Sequence, residues 1–176
     1  MDETSDATRS STALESPQGW RCSRVTARFV VGGAIAGPAH LAWLAECGVT
    51  HVISAAAALD DGPLCTACEL PFLHLRWQDD GLIKPAHDFQ RALAWVMHAD
   101  AIALAQGDPL PCYYVHCAGG AFRGPLLATF LLAALSGLSG DEAFAYLQAR
   151  HPDAQTWRVL AYRQSCLAAL EAVQPE

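Results

Sequence analysis

Cys117 and Arg123 flank five residues in the stretch Tyr113 to Pro125, which reads YYVHCAGGAFRGP. A thiol and a guanidinium at this spacing can act on one bound anion. His116 precedes the cysteine, Gly120 follows it by three, an apolar run enters and an apolar helix leaves. A loop from a strand's C-terminal end into a helix turns successive backbone N–H groups inward, and the helix dipole adds positive potential. Gly119 and Gly120 let the chain curl without a Cβ in the way, while Ala118 and Ala121 keep the rim small. Arg123, in the first helical turn, can fork two N–H groups onto two phosphate oxygens. The same donors stabilise a thiolate and match the equatorial oxygens of a phosphoryl-transfer transition state. Cys22 and Arg28 have the same spacing, but no glycine lies between them and they run into a strand; that copy carries no such reading.

The elements that must position this loop follow from pattern. Val25 to Gly33 alternates as a strand, and Gly37-Pro38 opens a helix that Gly48 ends. His51-Val52-Ile53 begins a buried strand, a loop carries Cys65 and Cys68, and Leu70 to Trp77 reads as a third strand. Phe89, Leu93, Val96, Met97 and Leu104 mark a long amphipathic helix ending near Gly107. Cys112 to His116 is a short buried strand feeding the apolar helix from Pro125. Ser139 with Glu142 forms a capping box for the next helix, and Pro152 precedes the last. Alternating strands and helices predict an α/β fold, a central mostly parallel sheet with helices on both faces. Residues 1–20 are acidic, nearly free of large apolar side chains and expected to be a disordered tail; 21–176 form a single catalytic domain.

Composition narrows the function. The chain has 176 residues, 52% apolar and 16% charged, which excludes a mostly disordered protein. Its net charge of −7 argues against a nucleic-acid binder held by a basic face. Lys84 is the sole lysine, so an anion site here uses arginine. The apolar stretch from Pro125 to Leu135 is too short to span a bilayer, so no membrane is expected. The N-terminus has no signal-peptide pattern, and seven irregularly spaced cysteines read as thiols in a cytoplasmic setting.

His-Cys-x-x-Gly-x-x-Arg between strand and helix resembles the signature of cysteine-dependent protein tyrosine phosphatases. VTARFVVGG (25–33), GVTHVISAA (48–56), FLHLRWQDD (72–80) and the segment DEAFAYL from Asp141 resemble the dual-specificity branch in its order. The resemblance covers roughly residues 24–172. It implies a phosphomonoester hydrolase acting on Tyr and Ser/Thr phosphoproteins, or on small phosphomonoesters, through a phosphocysteine. Cys117 is then the nucleophile, Arg123 and the amides of Ala118, Gly119, Gly120, Ala121 and Phe122 hold phosphate, and His116 orients the loop. An aspartate after the third strand, Asp79 or alternatively Asp80, protonates the leaving oxygen. No metal or cofactor is implied.

Two departures from that pattern matter. Gly124 stands where relatives carry Ser or Thr, whose hydroxyl steadies the departing thiolate. Ser54 stands where many have Asn bracing the phosphate loop. A weakly active phosphate-binding module and a rhodanese-like sulfurtransferase are the competing readings. The intact Cys117, Arg123 and aspartate set argues against the first, and Asp79-Asp80 with the helical C-terminus against the second.

Overall fold

The computed structural model describes residues 12–173. Strands β1 (Ala13–Glu15), β2 (Arg21–Arg24) and β3 (Phe29–Gly32) are followed by α1 (Pro38–Glu46), β4 (His51–Ala56), α2 (Gly62–Ala67) and β5 (Phe72–Trp77). Then come α3 (Ala86–Gln106), β6 (Tyr113–His116), α4 (Arg123–Ser136), α5 (Gly140–Arg150), a 3-10 turn (Thr156–Arg158) and α6 (Leu160–Glu171). The six strands form one sheet in the order β1-β2-β3-β6-β4-β5. The pairings β3/β6, β6/β4 and β4/β5 are parallel; β1/β2 and β2/β3 are antiparallel. The sheet is thus mixed, with its parallel part carrying the site.

Alternation along β6 divides the core. Tyr113 and Val115 face one side with Val31, Ile53 and the apolar residues of α3, α4, α5 and α6. Tyr114 faces the other with Val30, Val52, Leu41 and Leu44 of α1 and Cys65 of α2. Period-two alternation in a strand covered on both faces gives this partition. α4 is buried along most of its length, as its unbroken apolar run predicts. The Ser139–Glu142 capping box is present at α5, and Gly107, at φ +73°, ends α3.

Three expectations need correction. Part of the expected tail over 1–20 is structured: Ala13–Glu15 pairs with β2, and Ser16 is buried, its hydroxyl accepting from the amides of Gln18 and Trp20. Residues 1–11 lie outside the described residues. The strand expected from Val25 to Gly33 begins only at Phe29, because Thr26 Oγ1 accepts from the amides of Arg28 and Phe29 and folds 25–28 into a hairpin turn. The expected loop around Cys65 contains a short helix, α2, with a proline in its first turn. Among the described residues no helix is long and apolar enough to cross a membrane.

Candidate active site

Cys117 follows β6 directly and is buried, at 2% exposure. The loop from Cys117 to Phe122 then enters α4, whose N-cap, Phe122, gives no side-chain cap. The loop's carbonyls are gripped from outside. Ala118 O accepts from Ala34 N at 3.0 Å and Ala121 O from Gln155 N at 2.8 Å. Gly120 O accepts from His151 Nε2 at 2.7 Å. Phe122 O accepts from Leu126 N at 2.9 Å and Thr156 Oγ1 at 2.7 Å. In a planar trans peptide the N–H of the next residue points opposite to the carbonyl. The amides of Gly119, Phe122, Ala121 and Arg123 are therefore aimed away from the struts, into the space the loop encloses. Among the described residues, the amides of Ala118 to Phe122 donate to no protein acceptor.

Glycine is required at one point of the curl. Gly120 sits at φ +70°, and a Cβ there would lie 2.8 Å from Gly32 C and 2.9 Å from Gly32 O. The loop is also laced to β3's end: Tyr114 Oη donates to Gly33 O at 2.7 Å, and a Cβ on Gly33 would stand 3.0 Å from Ala118 O.

Arg123 is 6% exposed. Nη1 donates to Trp77 O at 2.8 Å, anchoring the guanidinium to the end of β5. Nη2 lies 3.3 Å from Asp79 Oδ2. Nε is buried with no hydrogen-bond partner among the described residues, a costly state for a cationic donor in a closed protein. These groups give the loop a guanidinium with a free donor, held from behind by a carbonyl.

The two aspartates differ. Among the described residues Asp79 is anchored by Arg123 and by a long contact, 3.5 Å, from Tyr162 Oη, and its side chain is 58% exposed. Asp80 is engaged with Lys84 Nζ at 2.5 Å and accepts from Leu82 N at 3.0 Å. Its bond to Lys84 holds its carboxyl below the usual range. Lys84, 4% exposed, also donates to Gln78 O at 2.8 Å and lies over the Tyr162 ring. Gly81 N donates to Tyr162 Oη and Lys84 N to Ser165 Oγ. Asp80 is thus a structural part of this turn, and Asp79 the carboxylate facing Arg123.

His116 is fully buried, stacked on Tyr114. Its Nε2 is 3.0 Å from Asp61 Oδ2 without hydrogen-bond alignment, and among the described residues neither atom has a hydrogen-bond partner. Ser54 Oγ donates to Leu59 O at 2.9 Å; it braces the turn after β4, and among the described residues no hydrogen bond links it to the loop from Cys117 to Phe122. Gly124 has a packing reason: a Cβ there would sit 3.1 Å from His116 C and 3.2 Å from Cys117 N.

Asp61, Lys84, His151, Thr156 and Tyr162 were not legible as site residues. Each acts through a contact that bridges distant segments, and none belongs to a local motif.

No family model matches the chain, and no curated protein matches its sequence. Solved structures do match. Human DUSP28 is 21% identical, covering 93% of this chain and 99% of its own, with a TM-score of 0.71. PTPMT1 in complex with PI(5)P is 12% identical, covering 86% and 96%, with a TM-score of 0.73. The Cydia pomonella PTP-2 phosphatase is 18% identical, covering 84% and 88%, with a TM-score of 0.67. The fold is that of the protein tyrosine and dual-specificity phosphatases, as the resemblance of the Cys117 segment implied.

Proposed function

We propose that this protein is a cysteine-dependent phosphomonoester hydrolase of dual specificity, acting on Tyr and Ser/Thr phosphoproteins. The observation that carries the reading is the loop itself: outward-held carbonyls, unused amides and an unpartnered Arg123 Nε around a buried Cys117. This is an arrangement of donors for a tetrahedral oxyanion with a sulfur at its base.

In the first step the Cys117 thiolate attacks phosphorus. The S–P bond forms as the bond to the leaving oxygen breaks, and Asp79 gives that oxygen its proton. In the second step the Asp79 carboxylate takes a proton from water, whose oxygen attacks phosphorus. The S–P bond breaks, releasing phosphate and restoring the thiolate. Arg123 and the loop amides bear the equatorial charge in both steps. A thiol nucleophile needs a reducing compartment, which fits a cytoplasmic location. The loop's variable positions, Ala118, Gly119, Ala121 and Phe122, offer no side-chain cation, which supports phosphoproteins over highly charged inositol phosphates.

Turnover of p-nitrophenyl phosphate that is lost in Cys117→Ser supports the enzyme. No turnover with retained tungstate binding makes the chain a phosphate-binding module instead.

A further inference from the structure

His151 lies far in sequence from the Cys117 loop yet is built into it. Its side chain is 5% exposed and fully engaged. Nε2 is 2.7 Å from Gly120 O and Nδ1 is 2.8 Å from Ser23 Oγ. A carbonyl oxygen only accepts, so the proton of the neutral ring is on Nε2. Nδ1 then accepts from the Ser23 hydroxyl. Ser23 is itself buried on β2, paired with Ala13 of β1 and Val31 of β3. Thr12 Oγ1 donates to Arg150 O, one residue before the histidine, at 3.1 Å. The N-terminal hairpin is thereby joined to the end of α5 and, through one imidazole, to the glycine at the sharpest point of the loop.

We propose that His151 is a positioning residue for the phosphate cradle: with Ser23 fixing its tautomer, it holds the Gly120 carbonyl outward and so aims the Ala121 amide at the bound anion. The proposal rests on the cradle reading above. The peptide joining Gly120 and Ala121 has one polar group on each side. If the carbonyl is released it can rotate, and the amide rotates with it. Gly120, at φ +70°, lacks the Cβ that would narrow the choice of ψ for this peptide; an external anchor there restricts it. The anchor borders a cavity of about 490 Å³ of mixed lining that includes Leu14, Ser23, Gly33, Gly119, His151 and Pro152, so a substituted side chain has room.

The test is calorimetric titration of the full chain with sodium tungstate, alongside p-nitrophenyl phosphate kinetics. His151→Phe keeps the ring volume and removes both polar links. It is expected to weaken tungstate binding about tenfold, the scale of one buried hydrogen bond lost at a single donor, and to raise KM more than it lowers kcat. His151→Gln can donate to Gly120 O and accept from Ser23, and restores binding. Ser23→Ala frees the tautomer and gives an intermediate loss. Its effect vanishes in the His151→Phe background, because the two act through one chain of contacts. Tyr113→Phe, which loses hydrogen bonds to Val96 O and Asp100 on the core side of the sheet, lowers the melting temperature without changing tungstate affinity. Wild-type tungstate affinity in His151→Phe overturns the proposal, as does equal loss in the Phe and Gln variants. If His151→Phe does not fold, Ser23→Ala carries the same test, and unchanged affinity there overturns it. Wild-type protein that fails to bind tungstate overturns the cradle reading itself, an outcome separate from the others.

Discussion

Arg123 and Asp79 face each other across the site, Nη2 to Oδ2 at 3.3 Å, one side chain buried and the other 58% exposed. The guanidinium is held by Trp77 O, on its other nitrogen, at 2.8 Å. An ion pair of this length with one exposed partner is weak. Under the function proposed above, an arriving phosphate is expected to take Nη2 from Asp79 and to gain the unpartnered Nε, leaving Asp79 free to serve the leaving oxygen.

Asp79→Asn is accordingly expected to cut kcat/KM on phosphoserine peptides, which reads the first step, about a hundredfold, the usual scale for loss of a general acid. On p-nitrophenyl phosphate the loss in the first step is small, because nitrophenolate departs without a proton. Asp80→Asn leaves the leaving-group dependence unchanged and instead loosens the turn that Lys84 clasps. Steady-state kinetics on both substrates separate the two aspartates; an Asp80→Asn variant with the larger leaving-group effect would reverse the assignment.

The cysteines differ in environment. Burial pushes the thiols of Cys22, Cys65 and Cys166 up to about 12, and Cys68 is exposed. In a Cys68→Ser background at pH 7, iodoacetate is expected to modify Cys117 first, and inorganic phosphate to slow it. Cys22, Cys65 and Cys166 stay unmodified in the native state. Peptide mass mapping reads the order, and labelling of Cys22, Cys65 or Cys166 ahead of Cys117 would refute it.

The same three thiols set an alkaline limit. Their folded pKa values lie above the unfolded ones, so their stabilising contribution is complete below about pH 8.5 and is lost as pH rises toward about 12. Melting temperature should fall progressively from pH 8 to pH 10. Cys166→Ala should flatten that slope, as thermal melts followed by circular dichroism can check.

The loop's geometry makes Gly120 the least replaceable position. Alanine there brings a Cβ to 2.8 Å from the Gly32 backbone at a φ of +70°. Strain of this kind costs about 1–3 kcal/mol, which lowers the melting temperature by several degrees in a domain of this size. Gly119, whose Cβ would meet nothing within 4 Å, is the matched control. Equal melting temperatures for the two alanine variants would contradict the close approach.

What the sequence carries is local. Cys117, Gly120 and Arg123 are legible because a curled loop between a strand and a helix needs them at fixed offsets. The long helix α3 and the Ser139–Glu142 cap are legible because periodicity and capping are short-range signals. The hairpin Ala13–Arg24 was hidden because Ser16 and Gly19 shape its turn while Leu14, Trp20 and Cys22, in no alternating run, supply apolar contact. His151 and Thr156 were hidden because their meaning depends on partners 31 to 128 positions away. In the sequence, position alone favours Asp79 over Asp80, since the Lys84 clasp on Asp80 and the Arg123 contact on Asp79 are tertiary.

Gly124 poses the sharpest question for turnover. Its backbone lies so close to β6's end that a Cβ would approach His116 C to 3.1 Å and Cys117 N to 3.2 Å. By the family resemblance, a hydroxyl at this position assists the thiolate as it leaves phosphorus, and here that assistance is missing. On the mechanism proposed above, formation of a phosphocysteine would depend on Asp79, Arg123 and the amides, all present, so the first step is expected to be fast and the second to limit. Stopped-flow assays with p-nitrophenyl phosphate should show a burst approaching one nitrophenolate per active site, followed by slow steady turnover. Gly124→Ser must open the gap between α4 and β6 by a few tenths of an ångström, costing about 1 kcal/mol or more, while it supplies the hydroxyl. Its melting temperature should fall as its steady rate rises and its burst shrinks. A wild-type progress curve without a burst would show that phosphoenzyme hydrolysis is not limiting, and that the close seating of α4 at Gly124 carries no catalytic penalty.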